Sequence, residues 1–240
     1  ELGELQSGFN RMAEGLSERD RIRDLFGRHV GMEVAEAALA KNPELGGEER
    51  DVAVFFIDLV GSTELAASQP PKQVVDLLNR FFAVVVEEVD RHRGFVNKFE
   101  GDAALAVFGA PGALDDHCGA ALRSARAIMD RLDREVPDCT AAIGIASGRA
   151  VAGNIGAKER FEYTVIGDPV NEAARLSELA KSADGRLVAS ARTVEHATSI
   201  DGDEWSFGDS VTLRGRAEET RLAMPRRQGG STASREASAR

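Results

Sequence analysis

Two aspartates, Asp58 and Asp102, flank short apolar runs in FFIDLVGST (55–63) and FVNKFEGDAALAVFG (95–109). The runs VAVFFI and AALAVF are dense in Val, Phe and Ala and read as buried strands. Asp58 leaves the end of the first strand, and Asp102 lies in the Glu100-Gly101-Asp102 turn of a hairpin. If the first strand pairs antiparallel with AALAVF, both carboxylates converge at one end of the sheet. Two carboxylates at a strand end suit divalent magnesium, a hard cation that takes oxygen ligands and bridges protein to substrate phosphates. Phosphoryl chemistry is therefore the first to test. The competing reading is local, because Asp at a strand end or hairpin turn also bonds the turn backbone. The pair gains weight only if other segments supply compatible parts.

The segment FEYTVIGDPVNEAARL (161–176) supplies them. Its strand TVI runs into Gly167-Asp168-Pro169, a helix start with Asp as cap and Pro at the first helical position. Asn171 and Arg175 then lie four apart on one helical face. An amide and a guanidinium in that relation can hold a phosphate or a developing anion together. On spacing alone the plainer reading is an exposed polar face of an amphipathic helix.

The elements that must position these residues alternate along the chain. We expect a strand at 52–57 and a helix at 72–92, with Val75, Leu78, Phe82, Val85, Val86 and Val89 at helical spacing. Hairpin strands 95–99 and 103–108, a helix at 115–133 and a strand at 140–146 follow. That order, βαββαβ, is the split arrangement of ferredoxin-like sheets, so the fold class is α+β. Strands near 149–155 and 161–166, a helix at 169–181 and short strands around 187–189, 205–207 and 211–214 extend it. Upstream, Leu2, Leu5, Phe9, Met12 and Leu16 recur at steps of three and four, a coiled-coil or helical-bundle seam. Arg19 and Arg23 break the heptad, and Ile22, Leu25 and Phe26 restart the apolar face in another phase, as at a stutter. Asn42-Pro43 and Gly46-Gly47 mark a linker. The tail 226–240 lacks apolar content and is expected to be disordered. Starting inside a heptad pattern with no Met, the chain reads as a fragment of something longer.

Bulk properties narrow the function. The apolar fraction of 42% is ample for a core, and the net charge of −10 argues against nucleic-acid binding. An acidic chain still binds a nucleoside triphosphate if metal ions supply the positive charge. Cys118 and Cys139, the only thiols, form no disulfide framework and suit a reducing cytosol. The 4 histidines are scattered without metal-ligand spacing, and no apolar run approaches a membrane span.

Taken together, FFIDLVGST, NKFEGDAALAVFG, AAIGIASGRAVAGNIG and YTVIGDPVNEAARL resemble the class III nucleotidyl cyclase catalytic domains, over about residues 50–224. ELGELQSGFNRMAEGL is similar to the end of a HAMP linker, and RIRDLFGRHVG to the transducing stretch before many bacterial cyclase domains. The resemblance implies four segments: 1–18 as the end of a HAMP-like linker, 19–47 as transducing helix and linker, 48–225 as the catalytic domain, and 226–240 as the tail. It further implies a cytoplasmic domain tethered to a membrane through upstream segments.

Residue by residue, Asp58 and Asp102 match the family's metal-binding pair, joined by the main-chain carbonyl of Leu59. Two Mg2+ or Mn2+ ions per site are implied. Lys98 falls on the purine-reading position, in the form that goes with adenylate cyclases, whereas guanylate cyclases place an acid there. Its usual aspartate partner is here Thr164, as in one subgroup of the family. Asn171 and Arg175 match the pair that orients the ribose and stabilises the transition state, and Arg214 in LRGR is the candidate triphosphate contact, where Lys is usual. The backbone amides of Val60, Gly61, Ser62 and Thr63, at a helix start, would cradle phosphates. The implied reaction converts ATP to 3′,5′-cyclic AMP and pyrophosphate at sites shared by the two chains of a homodimer. Three rivals stand beside it: a catalytically silent cyclase-fold module, a guanylate cyclase disfavoured by Lys98, and a polymerase palm lacking a basic template groove.

Overall fold

Strand β1 (Gly46–Leu59) is buried on both faces through its second half, and that sets the layering of the molecule. The structure, a computed structural model, describes residues 2–40, 44–198, 204–216 and 218–226. Along β1 the side chains alternate: Ala53, Phe55, Ile57 and Leu59 enter one core, Val52 and Val54 the other. The first core lies under α4 (Pro71–Arg91) and α5 (His117–Glu135), the second under α6 (Asp168–Ala180). Phe55 is fully buried between these layers, so its truncation to Ala would cost about 3–5 kcal/mol.

The eight-stranded sheet has the order β2-β3-β1-β4-β6-β8-β7, with β5 (Arg160–Ile166) pairing off this path with β4. β2 (Phe95–Glu100) and β3 (Ala103–Phe108) form the expected hairpin, and β3 pairs antiparallel with β1 from Ala53↔Phe108 to Asp58↔Ala103. β6 (Leu187–Ser190) joins β4 in parallel, and β7 (Trp205–Thr212) and β8 (Glu219–Pro225) close the far edge. The α+β architecture expected from the sequence is what the chain adopts. Two short helices, α3 (Ser62–Ser68) and α7 (Ala191–His196), complete the domain.

Several boundaries differ from the sequence reading. The strands expected at 140–146 and 149–155 are one strand, β4 (Ala141–Ala157), because it pairs with β1 along the whole of that strand. β1 likewise begins at Gly46, so Gly46-Gly47 belongs to the sheet and not to a linker: a Cβ on Gly47 would meet the Ala152 carbonyl oxygen at 2.9 Å. The two short strands expected at 205–207 and 211–214 are the single β7, bulged between Phe207 and Ser210, and β8 was not foreseen. On α4 the buried face is Leu77, Phe81, Val84, Val85 and Val89, whereas Val75 is exposed. The helix is thus turned about one residue from its expected face, which leaves Phe82 against Phe99 of β2, the rings 4.5 Å apart and tilted by 55°.

At the N-terminus, α1 (Leu2–Val30) runs unbroken across the expected boundary at residues 18 and 19. It stops at Gly31, whose φ of +91° suits glycine, and α2 (Met32–Ala40) follows. Met12, Leu16, Ile22, Leu25 and Phe26 are all exposed along α1. The side chains of Leu2, Leu5 and Phe9, the Asn42-Pro43 linker and the tail from residue 227 lie outside the described residues.

Candidate active site

Asp58 stands out of phase with Ile57 and Leu59, so it shares the sheet face of Val52 and Val54 and points toward α6. The β1–β3 register places it opposite Ala103, one residue past Asp102. Gly101, at φ +67°, supplies the left-handed turn that brings Asp102 back over the strand end. The two carboxylates meet as the sequence predicts, and their proximity has an electrostatic signature. Burial raises the Asp58 carboxyl above its ordinary range, and Asp102 raises it further, while Lys181 opposes both.

Lys181 is a residue the sequence reading missed. Its ammonium lies 2.5 Å from Asp58 Oδ2 and 3.2 Å from Glu178 Oε1. It reaches there because α6 lies almost on the sheet: a Cβ on Gly144 of β4 would fall 2.0 Å from the Ser177 amide nitrogen. Lys181 thus sets a positive charge against Asp58, beside the second carboxylate. The oxygen donors fit a hard divalent ion. Among the described residues no larger cluster of His, Cys, Asp and Glu with metal-binding geometry exists.

A second group forms between β2 and β5. Lys98 Nζ sits 3.3 Å from Glu162 Oε1 and 4.0 Å from Glu100 Oε1. Thr164, two residues on from Glu162, is buried and donates to Asn97 Oδ1 at 2.9 Å. Lys98 and Thr164 are therefore neighbours through adjoining residues, across strands 66 positions apart in the chain (164 − 98 = 66).

Asn171 and Arg175 occupy the exposed face of α6, while Ala173, Leu176 and Ala180 bury the opposite one. The side chain of neither makes a hydrogen bond or ion pair with another described residue, so both are free to meet a ligand or a second chain. Arg175 lies six residues before Lys181, about 9 Å along the axis and about 120° round it. Among the described residues no hydrogen bond or ion pair joins the aspartate pair to Lys98, Thr164, Asn171 or Arg175.

Arg214 is exposed in the loop between β7 and β8. Its near neighbour Arg216 anchors that loop to the start of α6, pairing with Glu172 and, at 2.6 Å, with Asp168. Thr220 closes the network on Glu172 at 2.5 Å. Arg216 was missed, although LRGR placed it two residues from a candidate site. At the start of α3 the Val60 amide already donates to the Thr140 carbonyl at 2.7 Å. Any backbone cradle is therefore left to Gly61, Ser62 and Thr63. Leu59 ends β1 beside Asp58, with its side chain in the core.

Comparison with known proteins gives the family. The sequence model of the adenylate and guanylate cyclase catalytic domain matches residues 47–224. Uncharacterized proteins Mb1354c of Mycobacterium bovis and Rv1320c of Mycobacterium tuberculosis are 64% and 63% identical over 228 residues, 95% of this chain and 40% of each relative. The chain thus spans about two fifths of their length. Among solved structures, the adenylyl cyclase CyaB of P. aeruginosa aligns at TM-score 0.67 and 25% identity, covering 78% of this chain and 100% of that one. The guanylyl cyclase Cya2 aligns at 0.65 and 26%, covering 75% and 93%. The chain belongs to the adenylate and guanylate cyclase catalytic domain family.

Proposed function

We propose that this domain is an adenylate cyclase, forming 3′,5′-cyclic AMP and pyrophosphate from ATP. The observation that supports the choice of base is that Lys98 of β2 and Thr164 of β5 lie between the same two strands, the Lys98 ammonium on Glu162 and the Thr164 hydroxyl on Asn97. An ammonium only donates, which matches the N1 acceptor of adenine and opposes the N1–H of guanine. Glu162 holds the lysine until a base arrives.

Asp58, Asp102 and the Leu59 carbonyl would hold the divalent ions, Mg2+ or Mn2+. When bound, such ions lower the pKa of the ribose 3′ hydroxyl and neutralise the leaving phosphates. The chain's own groups do the rest. Arg175 directs its fork of donors at the α-phosphate, where charge grows during in-line attack, and so acts more on the transition state than on binding. Asn171, one turn earlier, orients the ribose. Arg214, steadied by the Arg216 anchor, neutralises the triphosphate.

Two copies are required. Arg175 is exposed on α6 and makes no hydrogen bond or ion pair with the aspartates of its own chain, so a two-fold homodimer would bring the Asn171/Arg175 face of one chain to the aspartates of the other, giving two equivalent sites. The exposed apolar stripe on α1 supports parallel pairing of the same chains, with residues 1–18 as the end of a HAMP-like linker and 19–47 as the transducing segment. Upstream segments would tether the domain to a membrane on its cytoplasmic side. None of the described helices is itself long and apolar enough to cross one.

Incubation with ATP or GTP and each metal, followed by identification of the product, tests the reading. Cyclic AMP should dominate, and Lys98→Glu should lose it sharply. Equal ATP turnover in Lys98→Glu would reject the base-reading role.

A further inference from the structure

The β2–β3 ladder slips between Val96 and Lys98, leaving Asn97 in a bulge. A bulge turns a side chain out of strand alternation, and here it aims Asn97 at β5. The Asn97 Nδ2 group donates to the Tyr163 carbonyl at 2.7 Å. That bond sets the orientation of the amide, because a carbonyl accepts only from the nitrogen side. Oδ1 is then presented to Thr164, whose Oγ1 lies 2.9 Å away.

An amide oxygen cannot donate, so the single hydroxyl proton of Thr164 is committed to Asn97. Only lone pairs remain on Oγ1. Thr164 is 5% exposed, so turning its proton elsewhere would take from the half-buried Asn97 Oδ1 its protein partner. Beside it, Lys98 reaches Glu162 on the same face of β5 and offers only donors. An acceptor at Thr164 together with a donor at Lys98 matches the 6-amino and N1 edge of adenine. The same pair opposes the 6-oxo and N1–H edge of guanine.

We propose that Asn97 is a specificity-determining positioning residue: by capturing the Thr164 proton it makes a two-way hydroxyl into a one-way acceptor. This rests on the nucleotidyl cyclase reading of the site. It explains how threonine, which could donate or accept, does the work of an acid without carrying its charge.

The test compares kcat/KM for ATP and GTP in the dimeric wild type, Asn97→Ala, Asn97→Asp, Thr164→Val and the Asn97→Ala/Thr164→Val double variant. Competition of ATP and GTP against a fluorescent nucleotide gives the ratio of their affinities, a second readout that needs no turnover. Freed from Asn97, the hydroxyl can donate to a 6-oxo group, so Asn97→Ala should lower the ATP-to-GTP ratio roughly tenfold. Asn97→Asp still accepts the proton and should keep most of the discrimination. Thr164→Val should lower the ratio, and adding Asn97→Ala to it should change the ratio no further. A purely structural role would weaken both nucleotides alike and leave the ratio standing. The proposal is overturned if the ratio is unchanged in Asn97→Ala, or if that substitution acts equally in the Thr164→Val background. Should Asn97→Ala fail to fold by circular dichroism, loss of discrimination in Asn97→Asp overturns it instead. Absence of any cyclic nucleotide from wild type would defeat the cyclase reading, while the competition arm still decides the role of Asn97.

Discussion

The Lys181 ammonium lies 2.5 Å from Asp58 Oδ2, against one of the two carboxylates that would hold a metal ion. Asp58 in turn holds the Lys181 pKa above its ordinary value. The lysine is thus a built-in counter-ion that an incoming cation must displace. Replacing it with Met should tighten Mn2+ binding to the nucleotide-free protein about three- to tenfold, the equivalent of roughly 1 kcal/mol for a partly exposed pair. Titration followed by electron paramagnetic resonance reads this directly. Unchanged affinity would remove the counter-ion role.

Asp58→Ala and Asp102→Ala should each lower turnover by roughly three orders of magnitude, given the several kcal/mol that bound metal supplies. Neither side chain fills the core, so the melting temperature should hold or rise in Asp58→Ala, which removes a carboxylate raised by burial. Wild-type-like activity of Asp58→Ala at saturating metal would sink the assignment.

Mixing separates a shared site from a single-chain one. Asp58→Ala and Arg175→Ala proteins should each be inactive alone. After random chain exchange about half the dimers would be mixed, each with one intact site of two, so roughly a quarter of wild-type activity should return. Failure to recover activity under conditions shown to exchange chains would refute the two-chain arrangement.

The buried Cys139 links stability to alkaline pH. Burial pushes its thiol from 9.0 up to about 11. A raised acid in the folded state favours folding fully below the unfolded pKa, and that contribution is lost as pH rises toward the folded one. Stability should therefore fall between about pH 9 and 11, by on the order of 2 kcal/mol from this group. Cys139→Ala should flatten the slope in that window, measured by urea titration. An unaltered slope would assign the alkaline loss elsewhere.

Deleting residues 1–44 removes α1 and α2 but leaves the whole of the sheet. We expect measurable cyclase activity at an altered level and a weaker dimer, since the stripe of Met12, Leu16, Ile22, Leu25 and Phe26 is lost. Identical activity and dimer affinity in analytical ultracentrifugation and product assays would discard a regulatory role.

Local pattern alone determined a good part of this protein. The alternating runs VAVFFI and AALAVF, the Glu-Gly-Asp turn and the Gly-Asp-Pro helix start specify strands, hairpin and helix through nearest-neighbour chemistry, and with them the convergence of Asp58 and Asp102. Asn171 and Arg175 were legible for the same reason, being four apart on one helix. What sequence could not supply were relations between distant segments. Lys181 finds Asp58 only because Gly144 lets α6 settle on β4, and Arg216 finds Glu172 only when the β7–β8 loop docks. Asn97 looks like any strand residue until a slip in register turns it toward Thr164. The face of α4 was misjudged because every candidate position was apolar, and packing against the sheet, not periodicity, chose among them. Spacing along a chain carries the chemistry that a single element can express. Pairing across elements depends on close approach and register, which exist only once the sheet and its helices have packed.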